Sequence, residues 1–139
     1  MVRQLLAQVS QLIGYIGEHT AHHHGEASLT STIVNLAQHF IGSNNLNLLV
    51  PAGQFGTRAA GGKDHASARY ISTLPEKITR MLMHASDDPL LSYLADDGLS
   101  IEPEWYIPVL PLVLVNGADG IGTGKCIASF CLHSFTRLL

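Results

Sequence analysis

The chain has 139 residues, of which 46% are hydrophobic and 14% charged, so it is long enough to bury the core of one domain. No apolar run approaches the roughly 18 residues of a membrane-spanning helix, and the N-terminal sequence MVRQLLAQ is too polar for a signal peptide. We therefore predict a soluble, intracellular protein with no membrane partner.

The net charge argues mildly against nucleic acid as a partner. It is −3, with a pI near 6.2, whereas DNA-binding domains usually carry a basic excess. The local balance differs, because residues 54–70 carry three cationic side chains and one carboxylate. We therefore expect weak DNA binding by this chain alone, with the cations that matter concentrated in this segment.

The cysteines do not form a disulfide framework. Cys126 and Cys131 are the two in the chain, and both lie near the C-terminus. This usage is typical of free thiols in a reducing compartment.

Two amphipathic helices are predicted at the N-terminus. Apolar residues recur at three- and four-residue spacing from Leu5 to Ile16, and a second such pattern runs from Leu29 to Phe40, with Gly42 as its expected C-cap. Two helices joined by a loop and followed by a short strand are typical of the start of a winged helix-turn-helix.

Short elements are predicted on both sides of residues 54–70. Leu46 to Val50 reads as a strand that could form a hairpin through a turn at residues 51–53. Residues 71–73 read as another short strand, and Pro75 suits the first turn of a helix that ends near Met83.

The C-terminal third gives weaker signals. Residues 87–94 are expected to contain a short helical stretch, and Trp105 to Val115, which includes two prolines, suits an edge strand or extended segment. Asn116-Gly117 then predicts a hairpin turn.

Residues 54–70, with the sequence QFGTRAAGGKDHASARY, form the most informative segment. Apart from Phe55 the segment has no large apolar side chain before Tyr70, so we expect a flexible, exposed loop. Its glycines allow sharp turns or a close approach to a ligand. The loop is locally cationic and ends in the pair Arg69-Tyr70, which it would present to an anion.

Tyr70 has two interpretations from the residues alone. It could be an ordinary boundary side chain with a packed ring and a solvated hydroxyl. It could instead be a nucleophile, because an adjacent guanidinium favours the phenolate and can hold a phosphate oxygen. Spacing does not decide between the two.

Several motifs resemble one family in the same order along the chain. The segment GQFGTR, followed by GGKD and SARYI, resembles the active-tyrosine region of eukaryotic-type type IIA DNA topoisomerases. Four further motifs are similar to that family, and the resemblance covers about residues 17–124: HHGE, GSNN, EPEWYIP and NGADGIGTG.

The resemblance implies an α+β fold. Residues 1–100 would form a winged helix-turn-helix domain, of the catabolite-activator-like type, that carries the active-site tyrosine. Residues 101–124 would begin the tower domain, and residues 125–139 form a tail that departs from the family pattern.

The resemblance also implies roles for individual residues. Tyr70 would attack a DNA phosphate and form a 5′-phosphotyrosyl bond, Arg69 would stabilise the charge that develops there, and His24 would hydrogen-bond near the same phosphate. Contacts to DNA would come from Arg58 and Lys63, and an apolar wedge between base pairs from Ile121.

The histidine run also raises the question of a metal site. His22, His23 and His24 with Glu26 are zinc-ligand types. Adjacent histidines rarely point at one ion, and both cysteines are distant in sequence, so we predict no metal bound by this chain.

Cofactors and partners are implied by the family as well. They are Mg²⁺ and ATP, double-stranded DNA, a second copy of the protein in a homodimer, and a location in the nucleus. The domains that bind Mg²⁺ and ATP would lie upstream of Met1, so we expect a fragment that is inactive in isolation. The alternative is a catalytically incomplete DNA-binding or dimer-interfering module of the same fold.

Overall fold

Two helices build the core of the chain. The computed structural model describes residues 6–20, 22, 24–122 and 125–129, with only the backbone considered for 118–122 and 125–129. After a short strand β1 (Ala7–Gln8), helix α1 (Val9–His19) packs against α2 (Glu26–Ala37). Each helix buries one face, because its apolar residues recur every three or four positions. The core cluster consists of Val9, Ile13, Leu29, Ile33, Val34, Ala37, Phe55 and Ile71.

Both predicted N-terminal helices are confirmed, but their ends differ from the prediction. Leu6 precedes α1 and is 54% exposed. Helix α2 ends at Ala37, and Gln38 takes an extended conformation while its N–H still donates to the carbonyl of Val34. Gly42 therefore lies in the turn beyond the helix, with φ of 100°, and is not its C-cap.

A small antiparallel sheet closes over the helices. Strand β2 (Ser72–Thr73) pairs with β1 on one side, in the register Ala7 to Thr73. On its other side, residues 49–52 bridge to residues 72–75. Residues 46–50 do not form the predicted strand, since among them Leu49 alone makes an isolated bridge, to Pro75 beyond the loop. The predicted hairpin turn at 51–53 is also wrong, because Val50 and Ala52 donate to the carbonyls of Leu74 and Ser72.

The C-terminal part contains shorter elements. Helix α3 (Lys77–Leu82) and a 3-10 helix (Ala85–Leu90) lead into a hairpin of β3 (Tyr93–Asp96) and β4 (Leu99–Pro103). The sequence predicts a helical stretch as far as residue 94, so the hairpin differs from this prediction. The dipeptide Asp97-Gly98 is its sequence signal, and in the structure both residues have the positive φ that a two-residue type I′ turn requires.

The segment after β4 also differs from expectation. Residues 105–108 have no regular secondary structure, residues 109–110 form a bend, and residues 112–115 form a helical turn, α4 (Leu112–Val115), and not a strand. Asn116 ends α4, and β5 (Ala118–Gly122) follows and pairs antiparallel with β6 (Lys125–Ser129). Part of the predicted tail is thus a strand, and the rest lies outside the described residues. No helix in the described ranges is long and apolar enough to cross a membrane.

Candidate active site

The loop from Gln54 to Tyr70 is closed at its base by backbone hydrogen bonds. The N–H of Ala66 donates to the carbonyl of Gln54 at 2.9 Å, and Ala52 and Ser72 exchange a pair of hydrogen bonds at 3.1 and 2.9 Å. The outer turn is closed by the N–H of Gly62, which donates to the carbonyl of Thr57 at 2.9 Å. Most of the loop is exposed, as predicted.

The loop is also braced from inside, which the sequence analysis did not anticipate. Gln38, only 7% exposed, donates from Nε2 to the carbonyls of Phe55 and Gly62, at 2.8 and 3.1 Å. A Cβ on Gly62 would lie 2.8 Å from Oε1 of Gln38, and a Cβ on Gly56 would lie 2.5 Å from the carbonyl oxygen of Gly62. Both glycines are therefore required by close packing as well as by their positive φ.

The carboxylate of the loop is used internally. Asp64 accepts hydrogen bonds from the backbone N–H and the hydroxyl of Thr57, at 2.7 and 2.8 Å. These bonds favour the charged form and lower the pKa of Asp64, the backbone bond most of all. Within the described ranges Arg58, Lys63 and Arg69 form no ion pair with Asp64 or any other carboxylate. The loop thus keeps its cations available for an external anion.

The backbone around Tyr70 is held by the start of α1. The N–H groups of Val9 and Ser10 donate to the carbonyls of Ile71 and Ala68, at 3.0 and 3.1 Å. The side-chain amide of Gln8 donates to the carbonyl of Arg69. The first N–H groups of a helix have no partner within it, so this contact satisfies them while it fixes the loop.

The side chain of Tyr70 itself points away from the core. It is 81% exposed, whereas its neighbour Ile71 is 1% exposed and belongs to the core cluster. Arg69 is exposed beside it. A buried anchor and three hydrogen bonds thus hold a solvent-accessible phenol next to an exposed guanidinium.

His24 is exposed, and its ring meets that of His22 edge-on, with centroids 5.7 Å apart. No described contact connects His24 to Tyr70. The residues that the structure describes include no group of three His, Cys, Asp or Glu side chains able to hold a metal ion. His23, however, lies outside those residues.

The other predicted DNA contacts lie apart from Tyr70 in sequence. Arg58 begins the 3-10 turn Arg58–Ala60, and Lys63 follows at the same exposed end of the loop. Ile121 lies on β5, where only the backbone is described.

Sequence reasoning missed the residues that support this site, chiefly Gln8 and Gln38. Gln38 had a usable signal. It directly follows α2, four residues after the buried Val34, and a polar side chain buried at this position must find hydrogen-bond partners.

Comparison with known proteins identifies the family. The model of the family described as the DNA gyrase/topoisomerase IV A subunit matches residues 3–133. DNA topoisomerase 2 of Pisum sativum is 65% identical over 117 residues, and that of Drosophila melanogaster is 63% identical over the same length; each match covers 84% of this chain and 8% of the relative.

A solved structure matches as well. The DNA-binding, cleavage and re-ligation domain of Plasmodium falciparum topoisomerase II is 54% identical, with a TM-score of 0.84 over 90% of this chain and 17% of that chain. The mixed α/β fold and the resemblance stated from the motifs are thereby confirmed. The chain spans about a twelfth of the length of its curated relatives. On the match across nearly all of its length, the chain belongs to the DNA gyrase/topoisomerase IV A-subunit family, and it is similar to the eukaryotic DNA topoisomerase 2 enzymes.

Proposed function

We propose that this chain is the part of a type II DNA topoisomerase that cleaves and rejoins double-stranded DNA through Tyr70. The observation that carries the proposal is the exposed phenol of Tyr70 on a backbone fixed by α1, beside the exposed guanidinium of Arg69. A nucleophile must be accessible and held in place, and this position meets both conditions.

The chemistry is a reversible phosphoryl transfer. The phenolic oxygen of Tyr70 attacks a backbone phosphorus, an O–P bond forms, and the bond from phosphorus to the 3′-oxygen breaks. The phenol loses its proton, and the departing 3′-oxygen gains one. Attack by that 3′-hydroxyl on the 5′-phosphotyrosyl bond reverses each step and reseals the strand.

Arg69 would stabilise the charge on the phosphoryl oxygens during both transfers. His24 would hydrogen-bond to the same phosphate, and Arg58 and Lys63 would contact the DNA backbone. Their support is exposure and, for the two loop cations, the absence of a carboxylate partner within the described ranges.

The proposed fold of residues 1–100 is a winged helix. Helices α1 and α2 would be its helix-turn-helix, and the strands on either side of the loop would be its wing. Residues 101–124 would begin the tower, where Ile121 on β5 would wedge between base pairs and bend the duplex. Residues 125–139 would form a divergent tail.

Mg²⁺ and ATP belong to the proposed full-length enzyme. The described residues do not fit a metal, because no three potential ligands come together in them. Acidic residues elsewhere in a longer protein would hold Mg²⁺, and a separate domain would bind ATP. We assign no step in this chain to either group.

The full enzyme would act as a homodimer in the nucleus, since its relatives are DNA topoisomerase 2 enzymes of eukaryotes. Each protomer would supply one Tyr70, which would cleave one of the two DNA strands. A double-strand break then requires both protomers.

The test is a chimera in which residues 17–122 replace the matching segment of the Pisum sativum enzyme. Tyr70→Phe removes one oxygen and should abolish the protein-linked DNA that a denaturant traps, while DNA binding stays within about twofold. Arg69→Ala should reduce cleavage roughly a hundredfold, as expected for one lost charge-stabilising donor.

The matched control is Tyr106→Phe, because Tyr106 is also exposed, at 51%, and lies outside the loop. It should leave cleavage unchanged. Covalent adducts in the Tyr70→Phe chimera would show that another residue is the nucleophile, and the proposal would fail.

A further inference from the structure

Two motifs meet at residues to which the proposed function gives no role. Residues 45–46 lie at the end of the GSNN motif, which spans 42–45, and residues 115–116 lie at the start of the NGADGIGTG motif, which spans 116–124. Four hydrogen bonds join them across about 70 residues of sequence. We call this contact the asparagine clasp, formed by Asn45, Leu46, Val115 and Asn116.

The side-chain amide of Asn116 both accepts and donates hydrogen bonds, as the backbone of a residue at the edge of a sheet does. Its Oδ1 accepts from the N–H groups of Asn45 and Leu46, at 3.1 and 2.9 Å, and its Nδ2 donates to the carbonyl of Leu46 at 2.9 Å. In addition, Nδ2 of Asn45 donates to the carbonyl of Val115 at 2.6 Å. No other side chain of this size offers both an acceptor and a donor amide in one plane.

The clasp continues to α2 through a second set of hydrogen bonds. Nδ2 of Asn44 donates to the carbonyls of Asn35 and Gln38, at 2.5 and 2.9 Å. The N–H groups of Leu48 and Leu49 both donate to the carbonyl of Leu36, at 3.0 and 3.3 Å. The segment between α2 and the sheet is therefore fixed to the end of α2 and to Asn116 at once.

On the other side, the clasp holds the root of the β5–β6 hairpin. Asn116 ends α4, Gly117 has φ of 77°, and β5 begins at the next residue. Moving this starting point away from residues 45–46 would break the bonds of Asn116. The clasp thus fixes where the hairpin starts relative to the end of α2.

We propose that Asn116 and Asn45 are positioning residues for DNA bending, which set the hairpin that carries Ile121 against α2. The inference rests on the proposed function, because it needs DNA to be held by the winged helix and bent at the hairpin. The clasp keeps the start of the hairpin in a fixed position relative to the winged helix. When the clasp is broken, DNA should still bind to the winged helix but should no longer be bent at the hairpin.

The first experiment examines the clasp in the chain itself. Asn116→Ala removes the shared acceptor, so the amides of Asn45 and Leu46 should exchange hydrogen roughly fivefold or more faster, the factor expected for one net hydrogen bond. Asn47→Ala is the matched control, since the hydrogen bond of Nδ2 of Asn47 in the described part of the chain stays within its own segment, to the carbonyl of Leu49. Equal exchange in wild type and Asn116→Ala would refute the clasp.

The second experiment uses the chimera and a duplex with a fluorophore at each end. Asn116→Ala should lower the bent fraction at least fivefold and cleavage in parallel, with DNA affinity within about twofold. Asn116→Asp keeps the acceptor and loses the donor, so it should fall between wild type and Asn116→Ala. The double variant with Asn45→Ala also loses the bond from Nδ2 of Asn45 to the carbonyl of Val115, so it should bend DNA less than Asn116→Ala. Its loss should still be smaller than the sum of the two single losses, because both residues belong to one contact.

The outcomes separate the inference from the proposed function. If the chimera cleaves through Tyr70 and Asn116→Ala bends DNA normally, the positioning role is wrong while the proposed function stands. If Tyr70→Phe still gives covalent adducts, the proposed function fails independently of the clasp. Loss of bending with a melting temperature unchanged from the Asn47→Ala control supports positioning over general destabilisation.

Discussion

The two halves of the chain differ in how far their large apolar side chains are buried. Before Leu82, the large apolar side chains of α1, α2 and Ile71 meet in one core. After it, none of the described side chains is buried, and several large apolar ones are more than half exposed: Leu90, Leu99, Trp105, Tyr106, Ile107, Val109 and Val113. The first half is held by burial, whereas the second is held by short hairpins, hydrogen bonds and the asparagine clasp.

This difference indicates which half of the chain stabilises the fold and supports the candidate site. Burial of apolar surface is the main favourable term in folding, so the first half should carry most of the folding free energy. The site is built on that half, since the loop with Tyr70 is anchored to α1 and α2. The second half depends on its attachments, and its exposed surface is of the kind that packs against other parts of a larger protein.

The largest expected effect contrasts two isoleucines. Ile71→Ala, at a position 1% exposed, should lower the free energy of unfolding by about 2–5 kcal/mol, because it leaves a cavity in the core. Ile107→Ala, at a position 71% exposed, should change it by less than about 0.5 kcal/mol. Urea unfolding followed by circular dichroism measures both. Comparable losses would show that the second half has a core of its own.

A smaller effect contrasts two glycines that both have positive φ. Gly98→Ala lies in open space in the β3–β4 turn, so it should cost about 1 kcal/mol from backbone strain alone. Gly56→Ala adds a Cβ 2.5 Å from the carbonyl oxygen of Gly62, and a further cost of about 1–3 kcal/mol is expected from that crowding. Thermal melts of the two variants should therefore differ by several degrees. Equal melting temperatures would mean that the loop accommodates the added Cβ at Gly56 without loss of stability.

The smallest effect contrasts two carboxylates by their response to pH and salt. The pKa of Asp64 is lowered by the hydrogen bonds from Thr57, so its contribution to stability is complete above the unfolded pKa of about 3.9 and is lost as pH falls through the lower folded pKa. Asp64→Asn should therefore have a lower melting temperature than wild type at pH 7, and this difference should disappear below pH 4.

Asp88→Asn is the matched variant in the second half, where Asp88 pairs with Arg80 on the surface. Its effect at pH 7 should shrink in high salt, which screens an exposed ion pair. The effect of Asp64→Asn depends on short hydrogen bonds and should persist in the same salt. If high salt reduces the loss of melting temperature equally in both variants, Asp64 acts by its charge and not by closing the loop with hydrogen bonds.

Sequence alone predicted the parts of the fold that depend on local spacing. The apolar residues of α1 and α2 repeat regularly, and Phe55 was recognised as the only large apolar residue of the loop before Tyr70. The motifs supplied the family and, through it, the proposed roles of Tyr70 and Arg69. These roles remain predictions, as do those of His24, Arg58, Lys63 and Ile121.

The remainder depends on contacts distant in sequence. Gln38 reaches Gly62 over 24 residues, and Asn45 reaches Asn116 over 71. A polar side chain gives no sequence signal of which distant carbonyl or amide it will meet. The β3–β4 hairpin was missed for another reason, since the apolar residues at its start suited a helix and Asp97-Gly98 was not weighed as a turn.

The attachment of the loop to α1 has a mechanical consequence. Any tension on a polymer joined to Tyr70 would enter the protein through the peptide groups on either side of that residue. The carbonyls of Ala68 and Ile71 are bonded to successive amides of α1, so they share such a load in parallel. The side chain of Ile71 adds resistance, because pulling it outward exposes an apolar surface to water. A strand pulled from Tyr70 would therefore have to break both hydrogen bonds before the tyrosine could move away from α1.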